Sequence, residues 1–379
     1  MRKTNKILYR KIPLPFRIKK PVLAFGSQTK NTICFAKDNL AILSPVHADL
    51  SNPEDFLNFE KDVKYFLKRN PKIIACDLHP EYQSTKYINN SQLAACRSEL
   101  IQHHHAHIVS CMLENGWKNQ KVIGVAFDGT GLGNDNRLWG AEFLVCDYKN
   151  FKRNAHLKEI PLLGGEKAVT EPWRVAALWL YLGYKNKFLN LDINFVKRID
   201  KNKWQVLKKM YLSGLNAPLA SSMGRLFDAV ASIVLEKYHA RFEAELAIEL
   251  EGVARNYKQQ TSGYHFKIIK KEHEYIIDPL RMFKEIVLDL KRKEKREKIA
   301  YGFHLSVAQM IRKVCLFLRK ENKINEVVLS GGVFQNNLLL SLSLDLLYKE
   351  DFKVVFHKNL ACNDSSISLG QAVIADFKG

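Results

Sequence analysis

The chain has 379 residues, more than one hydrophobic core usually supports, so two or three lobes with a cleft between them are expected. A hydrophobic share of 46% and a charged share of 26% are those of an ordinary globular protein and exclude wholesale disorder. Lys and Arg outnumber Asp and Glu by 59 to 39, and the resulting formal charge of +20 favours anionic ligands without specifying which. Seven cysteines (34, 76, 96, 111, 146, 315 and 362) form no C-x-x-C pair, which argues against a zinc ribbon or a disulfide framework and for reduced, cytosolic thiols. Met1 to Thr4 is basic, but no apolar stretch of signal-peptide length follows, and no run approaches the roughly eighteen apolar residues of a membrane span. A soluble, cytoplasmic protein without a membrane partner is expected.

After a lead punctuated by Pro13, Pro15 and Pro21, Val22 to Gly26 reads as a buried strand ending in a turn, with Thr32 to Ala36 as a second strand. Asp55 to Arg69 places Phe56, Phe59, Val63, Phe66 and Leu67 at helical spacing, and Ile73 to Cys76 is a short apolar run of strand type. Val122 to Phe127 leads into the glycine-rich stretch Asp128 to Gly133, and Leu138 to Val145 follows as a further strand. From about 161 to 257 the pattern is helical, most clearly at Trp173 to Leu182 and Met223 to Tyr238. Tyr264 to Asp278 alternates like a hairpin. Lys291 to Lys298, interrupted by Glu294 and Glu297, reads as a solvated helix face or loop rather than a nucleic-acid patch. A helix at Phe303 to Leu318, a strand at Glu326 to Leu329, a turn from Ser330, a helix at Asn336 to Tyr348 and a strand at Val354 to His357 complete the chain. This order predicts an α/β fold with an N-terminal lobe over residues 1–120 and a C-terminal lobe over 121–379, the latter with a helical insertion around 161–257.

Four histidines stand in five consecutive positions, His103, His104, His105 and His107, just inside a predicted helix. Residues 103 and 107 share a helix face and can hold one metal through imidazole nitrogen, which leaves His104 and His105 as supporting or substrate-facing candidates. Asp128 ends an apolar run and opens Gly129-Thr130-Gly131, where small residues let backbone N–H groups approach phosphate; a tight turn needing glycine explains the same pattern equally well. Ser330-Gly331-Gly332, followed by Asn336, repeats that logic before a helix N-terminus. Asn363-Asp364 reads as a capping turn or as a carboxylate returning to the cleft. Lys30 is a candidate phosphate counter-charge, and Arg225 and Asp228 are charges among apolar helix residues that need a ribose, a phosphate or each other as partner.

Taken in order, Asp77 to Thr85, the His103 to His107 cluster, Phe127 to Gly131, Glu171 to Arg174, Ser221 to Asp228, Ser330 to Asn337, and Asn363-Asp364 with Leu369-Gly370-Gln371 resemble the C-terminal transferase module of the hydrogenase-maturation HypF family. The resemblance runs from about residue 20 onward and implies a two-lobed, actin-like and sugar-kinase-like ATPase fold of duplicated ribonuclease-H-like type, with nucleotide and metal in the interlobe cleft. It implies that His103, His107, Asp128 and Asp364 hold one iron or zinc ion. Gly129, Thr130, Gly131, Arg225, Asp228, Gly331, Gly332 and Asn336 would face ATP or carbamoyl-adenylate, with His104, His105 and Lys30 as candidate catalytic groups. The implied reaction moves a carbamoyl group from carbamoyl-adenylate, supplied by a separate YrdC-like adenylate-forming protein, to the C-terminal cysteine of a HypE-like acceptor. A non-catalytic nucleotide-binding subunit, a small-molecule O-carbamoyltransferase and a tRNA-modifying transferase are the alternatives. Ser365-Ser366 stands where the family has glycines, which restricts the backbone beside Asp364 and predicts an impaired site.

Overall fold

The computed structural model describes residues 9–379 apart from 90–92, 94, 258 and 260, so the basic Met1 to Thr4 lies outside the described residues. Two principal sheets organise the chain. The smaller has the strand order Cys34–Leu43, Arg10–Ala24, Ile73–Asp77, Arg97–Ile101. The larger runs Lys267–Lys271, Glu274–Asp278, Phe151–Leu157, Leu138–Cys146, Val122–Leu132, Glu326–Ser330, Lys353–Phe356, with the short Ile160–Pro161 and Leu219–Ser222 beside it.

The strand predicted from Val22 starts earlier, within the proline-punctuated lead: Arg10–Ala24 is continuous, and the second strand is displaced to Cys34–Leu43. Proline cannot donate a ladder hydrogen bond and belongs on edges or at bulges. Parallel pairing with Ile73–Asp77 begins only at Val22, so the half carrying Pro13, Pro15 and Pro21 is paired on one side, and its register shifts between Pro13 and Val22. The charged run Lys291 to Lys298 is solvent-facing helix and turn as expected, but the helix predicted from Phe303 starts earlier. It runs from Arg296 to Asn322, because Ile299, Ala300 and Phe303 continue the buried face of the later turns.

The helix His103–Glu114 begins where the Gln102 side chain accepts from His105 N (2.8 Å), and its residues 103–113 are all buried. Such burial all round requires packing on every side. It packs on Val122–Leu132 and Glu326–Ser330 of the larger sheet and against the C-terminal helix Ile367–Lys378, which in turn covers the smaller sheet. A single apolar cluster, including Val22, Ile108, Met112, Val328 and Val373, joins these layers. Among the described residues, no helix is long and apolar enough to cross a membrane.

Candidate metal centre and the surrounding cleft

His103 and His107 sit one turn apart on the buried helix, Asp128 lies within the central strand Val122–Leu132, and Asp364 follows the last strand. Their ligand atoms all fall within 4.8 Å of one another. Asp128 Oδ2 is 3.3 Å from His103 Nε2 and 3.4 Å from His107 Nε2, while Asp364 Oδ1 is 3.6 and 3.5 Å from the same two nitrogens. Donor separations of roughly 3.4 Å are the edges of a tetrahedron whose ligands stand about 2.1 Å from its centre, as in zinc sites.

Two of the four donors, His103 and Asp128, are fixed by partners of their own. His103 Nδ1 donates to Asp77 Oδ2 at 2.7 Å, both side chains fully buried, which leaves Nε2 facing the carboxylates. Asp128 Oδ1 accepts from Gly332 N (3.2 Å), which couples the second glycine turn to the cluster. Asn363 Oδ1 accepts from Ser365 N (3.1 Å) and Ser365 Oγ (2.8 Å), so the capping turn and the carboxylate aimed at the cleft are both present. Neither Ser365 nor Ser366 has a positive φ, so the serines occupy this turn without needing a glycine conformation.

Burial alone would discharge the imidazoles of His103 and His107, yet the neighbouring carboxylates reverse its effect and raise both pKa values. Burial likewise opposes ionisation of the acids, but the two histidines hold Asp128 well below its ordinary range and Asp364 at about 2. The cluster is therefore anionic oxygen balanced by protons on nitrogen, an arrangement that a divalent cation can replace. Two observations fit a metal: buried His107 has no hydrogen-bond partner on either ring nitrogen, and two imidazoles with two carboxylates suit zinc or iron.

The other sequence candidates divide. The stretch Asp128 to Gly133 is not a free loop, because its strand bulges after Phe127 and continues to pair through Leu132 with Leu138–Cys146. Gly131 makes room for the rings of His103 and His104, Gly129 O accepts from Ser222 Oγ, and Thr130 lies half-buried between them. Gly331, with φ 99°, presses its backbone on Phe127, where a Cβ would stand 2.2 Å from the carbonyl oxygen. Arg225 and Asp228 found each other, at 2.8 Å and buried. The Asn336 amide is committed, capping its helix through Leu339 N and meeting His304 Nε2 at 2.9 Å.

His104 is buried beside the cluster with its Nε2 unpartnered, and burial together with the charge of His103 lowers its pKa to about 3, so it is neutral. His105 leaves the substrate-facing set: helical rotation turns it from the carboxylates, and its Nε2 bonds the Asp147 carbonyl at 2.7 Å beside Phe151. Lys30 stands half-exposed, 3.3 Å from Glu243 Oε2, and the charges of Asp364 and Asp128 act on it. Sequence reasoning missed Glu243 and the role of Asp77, although an acid ending a buried strand was the same signal that marked Asp128.

A family model described as "Carbamoyltransferase, Kae1-like Domain, second subdomain" matches residues 124–371, and one described as "HypF Kae1-like domain" matches 17–114. This chain belongs to the HypF carbamoyltransferase family. Carbamoyltransferase HypF of Synechocystis sp. is 34% identical over 376 residues, covering 95% of this chain and 48% of that protein. A "Carbamoyltransferase HypF homolog" of Cupriavidus necator is 30% identical over 363 residues, covering 94% of this chain and 91% of its own length. The chain thus spans about half the length of several HypF relatives and most of this shorter one. Full-length HypF, solved in a phosphate- and nucleotide-bound form, superposes with TM-score 0.89 at 37% identity, covering 97% of this chain and 57% of that one. HypF of T. kodakarensis gives 0.84 at 27% identity, covering 97% and 49%. These likenesses bear out the HypF resemblance and the α/β fold that it implied.

Proposed function

We propose that this chain transfers a carbamoyl group from carbamoyl-adenylate to the C-terminal cysteine of a HypE-like acceptor, with one iron or zinc ion held by His103, His107, Asp128 and Asp364. The observation that carries the reading is the convergence of four donors, three buried and Asp364 half-buried, with neither ring nitrogen of His107 hydrogen-bonded, beside two close backbone approaches at Gly129–Gly131 and Gly331–Gly332. When bound, the ion supplies positive charge that offsets the phosphate charge of the adenylate. The protein's own part is positioning: Asp77 orients His103, Gly332 N orients Asp128, and half-exposed Lys30 offers an ammonium to an incoming anion. Neutral His104 accepts from the Gln102 amide at Nδ1, so its open Nε2 carries the proton and can donate a hydrogen bond next to the cluster. Seven free cysteines support a reducing, cytoplasmic setting, and a YrdC-like adenylate-forming activity would supply the adenylate.

The test supplies metal-loaded protein with carbamoyl-adenylate and a HypE-like acceptor and follows the acceptor cysteine by mass spectrometry. One added carbamoyl group, lost together with bound metal in His107→Ala, is the expected result. Nucleotide binding without transfer would replace the enzyme by a nucleotide-binding subunit, and metal retained by His107→Ala would overturn the four-donor site.

A further inference from the structure

The histidine helix carries more of the site than its two imidazoles. Residues 103, 107, 110 and 114 advance by four, three and four, so they form one stripe along a helix. His103 and His107 face Asp364. Ser110 Oγ donates to Ser366 O at 2.8 Å, two residues beyond Asp364. Glu114 Oε1 accepts the consecutive backbone amides of Lys358 (2.9 Å), Asn359 and Leu360 (3.0 Å), and its Oε2 accepts from His357 Nδ1 at 2.5 Å. His357 Nε2 meets Ser330 Oγ at 3.1 Å, so the same chain of bonds reaches the head of the second glycine turn.

A carboxylate in the last turn of a helix works against the helix dipole, so Glu114 is not placed there to stabilise its own helix. Its side chain is only 6% exposed, and that of His357 only 2%. Both need partners: Glu114 finds His357 and three amides in the segment that leads from the last strand to Asp364, and His357 finds Glu114 and Ser330. Burial would raise the Glu114 carboxyl, but His357 and the amides hold it at about 2, so it is a carboxylate across the neutral range, while burial lowers the His357 pKa and leaves that imidazole as a neutral donor.

We infer that Glu114, acting with His357 and Ser110, is a positioning residue that sets the place of Asp364 relative to His103 and His107 and so tunes the affinity of the metal centre. The inference rests on the metal reading above. Glu114 touches none of the four donors; it grips the loop before Asp364 while Ser110 grips the turn after it, and the helix that carries both also carries the histidines. Groups that orient metal ligands in this way typically govern affinity by about 10–100-fold.

The experiment is calorimetric titration of the metal-stripped full chain with Zn²⁺ alone, for the wild type, Glu114→Gln, Ser110→Ala and His107→Ala, with thermal unfolding of each metal-free form. The expected result is Zn²⁺ uptake by the wild type, none by His107→Ala, and uptake weakened about 10–100-fold in Glu114→Gln, with a smaller weakening in Ser110→Ala. A merely structural Glu114 would lower the metal-free unfolding midpoint and leave the Zn²⁺ affinity of the folded chain unchanged. Wild-type affinity in both Glu114→Gln and Ser110→Ala, with uptake abolished in His107→Ala, overturns this inference alone. No uptake by folded wild type overturns the metal reading and this inference together. Should Glu114→Gln fail to fold, the conservative Ser110→Ala decides: weakened uptake supports the brace and wild-type uptake sinks it.

Discussion

A methyl group at Gly131 would lie 2.7 Å from His103 Cδ2 and 2.8 Å from His104 Cε1. Neither ring can give way freely, because His103 is tied to Asp77 and His104 Nδ1 to the Gln102 amide. Gly131→Ala should therefore cost about 1–3 kcal/mol of stability through overpacking and should weaken metal uptake; urea unfolding of the metal-free chain with a wild-type midpoint would refute it. Ala244 poses the reverse case. It has φ 64° at the start of the helix Glu245–Arg255, in the left-handed region that favours glycine. A left-handed alanine is strained, so Ala244→Gly should stabilise the chain, by no more than about 1 kcal/mol after the larger entropy of the unfolded glycine is subtracted; a lowered thermal midpoint would contradict this. At this scale the sequence was most legible where spacing is geometry: a four-residue step named His103 and His107. It was least legible where a residue's meaning lies in a distant partner, as with Asp77, Glu114 and Glu243, since composition and period carry no trace of which amide or imidazole an acid will meet.

Strand and helix positions followed the apolar periods closely, and the misses share a cause. Pro13, Pro15 and Pro21 look like breakers, and only the one-sided pairing of their strand makes them tolerable. The glycines at 129 and 131 look like a loop, and only pairing with Leu138–Cys146 makes them strand. That hairpin also carries a buried ionic knot. Glu142, fully buried, accepts from Arg153 Nε (2.6 Å) and Ser221 Oγ (2.6 Å) and so ties three strands together. Burial by itself would raise the Glu142 carboxyl, but Arg153 overrides it and holds the pKa at about 2 against an ordinary 4.5. Because the folded pKa is the lower one, this contribution is complete above about pH 4.5 and is lost as pH falls toward about 2, a difference on the order of 3 kcal/mol. Glu142→Gln should destabilise the chain at neutral pH, where Arg153 loses its buried counter-charge, and should make the acid limb of stability against pH shallower. Glu114, also held at about 2, keeps part of that limb in the variant. An acid limb of unchanged steepness would show that Glu142 is not the group titrating there.

On the scale of the whole molecule, the site depends on the two ends of the chain meeting. Asp364 and the helix Ile367–Lys378 close against residues far earlier in the sequence: Asp376 Oδ1 accepts from Lys19 N (2.9 Å) and Lys20 N (3.2 Å), and Thr32 Oγ1 meets Ser368 Oγ at 2.7 Å. Nothing in local periodicity announces such a pairing. A fully buried link is Gln371, whose Oε1 accepts from Gly26 N at 2.9 Å and whose Nε2 reaches Gly26 O at 3.3 Å. Gly26 has φ 69°, and the Cβ of any larger residue would meet Thr32 O at 2.4 Å, so that turn cannot rebuild itself around a new side chain. Gln371→Ala strands the buried Gly26 amide, because Ser84 Oγ, at 3.4 Å, can still serve the carbonyl but no donor can replace an acceptor. The expected cost is about 2 kcal/mol, read as a lower urea midpoint with an unchanged slope. Because the same helix follows directly from Asp364, metal uptake should weaken alongside stability. Loss of stability with undiminished uptake would mean that Asp364 is held by its own turn and by the histidine helix, independently of the closure between the chain's two ends.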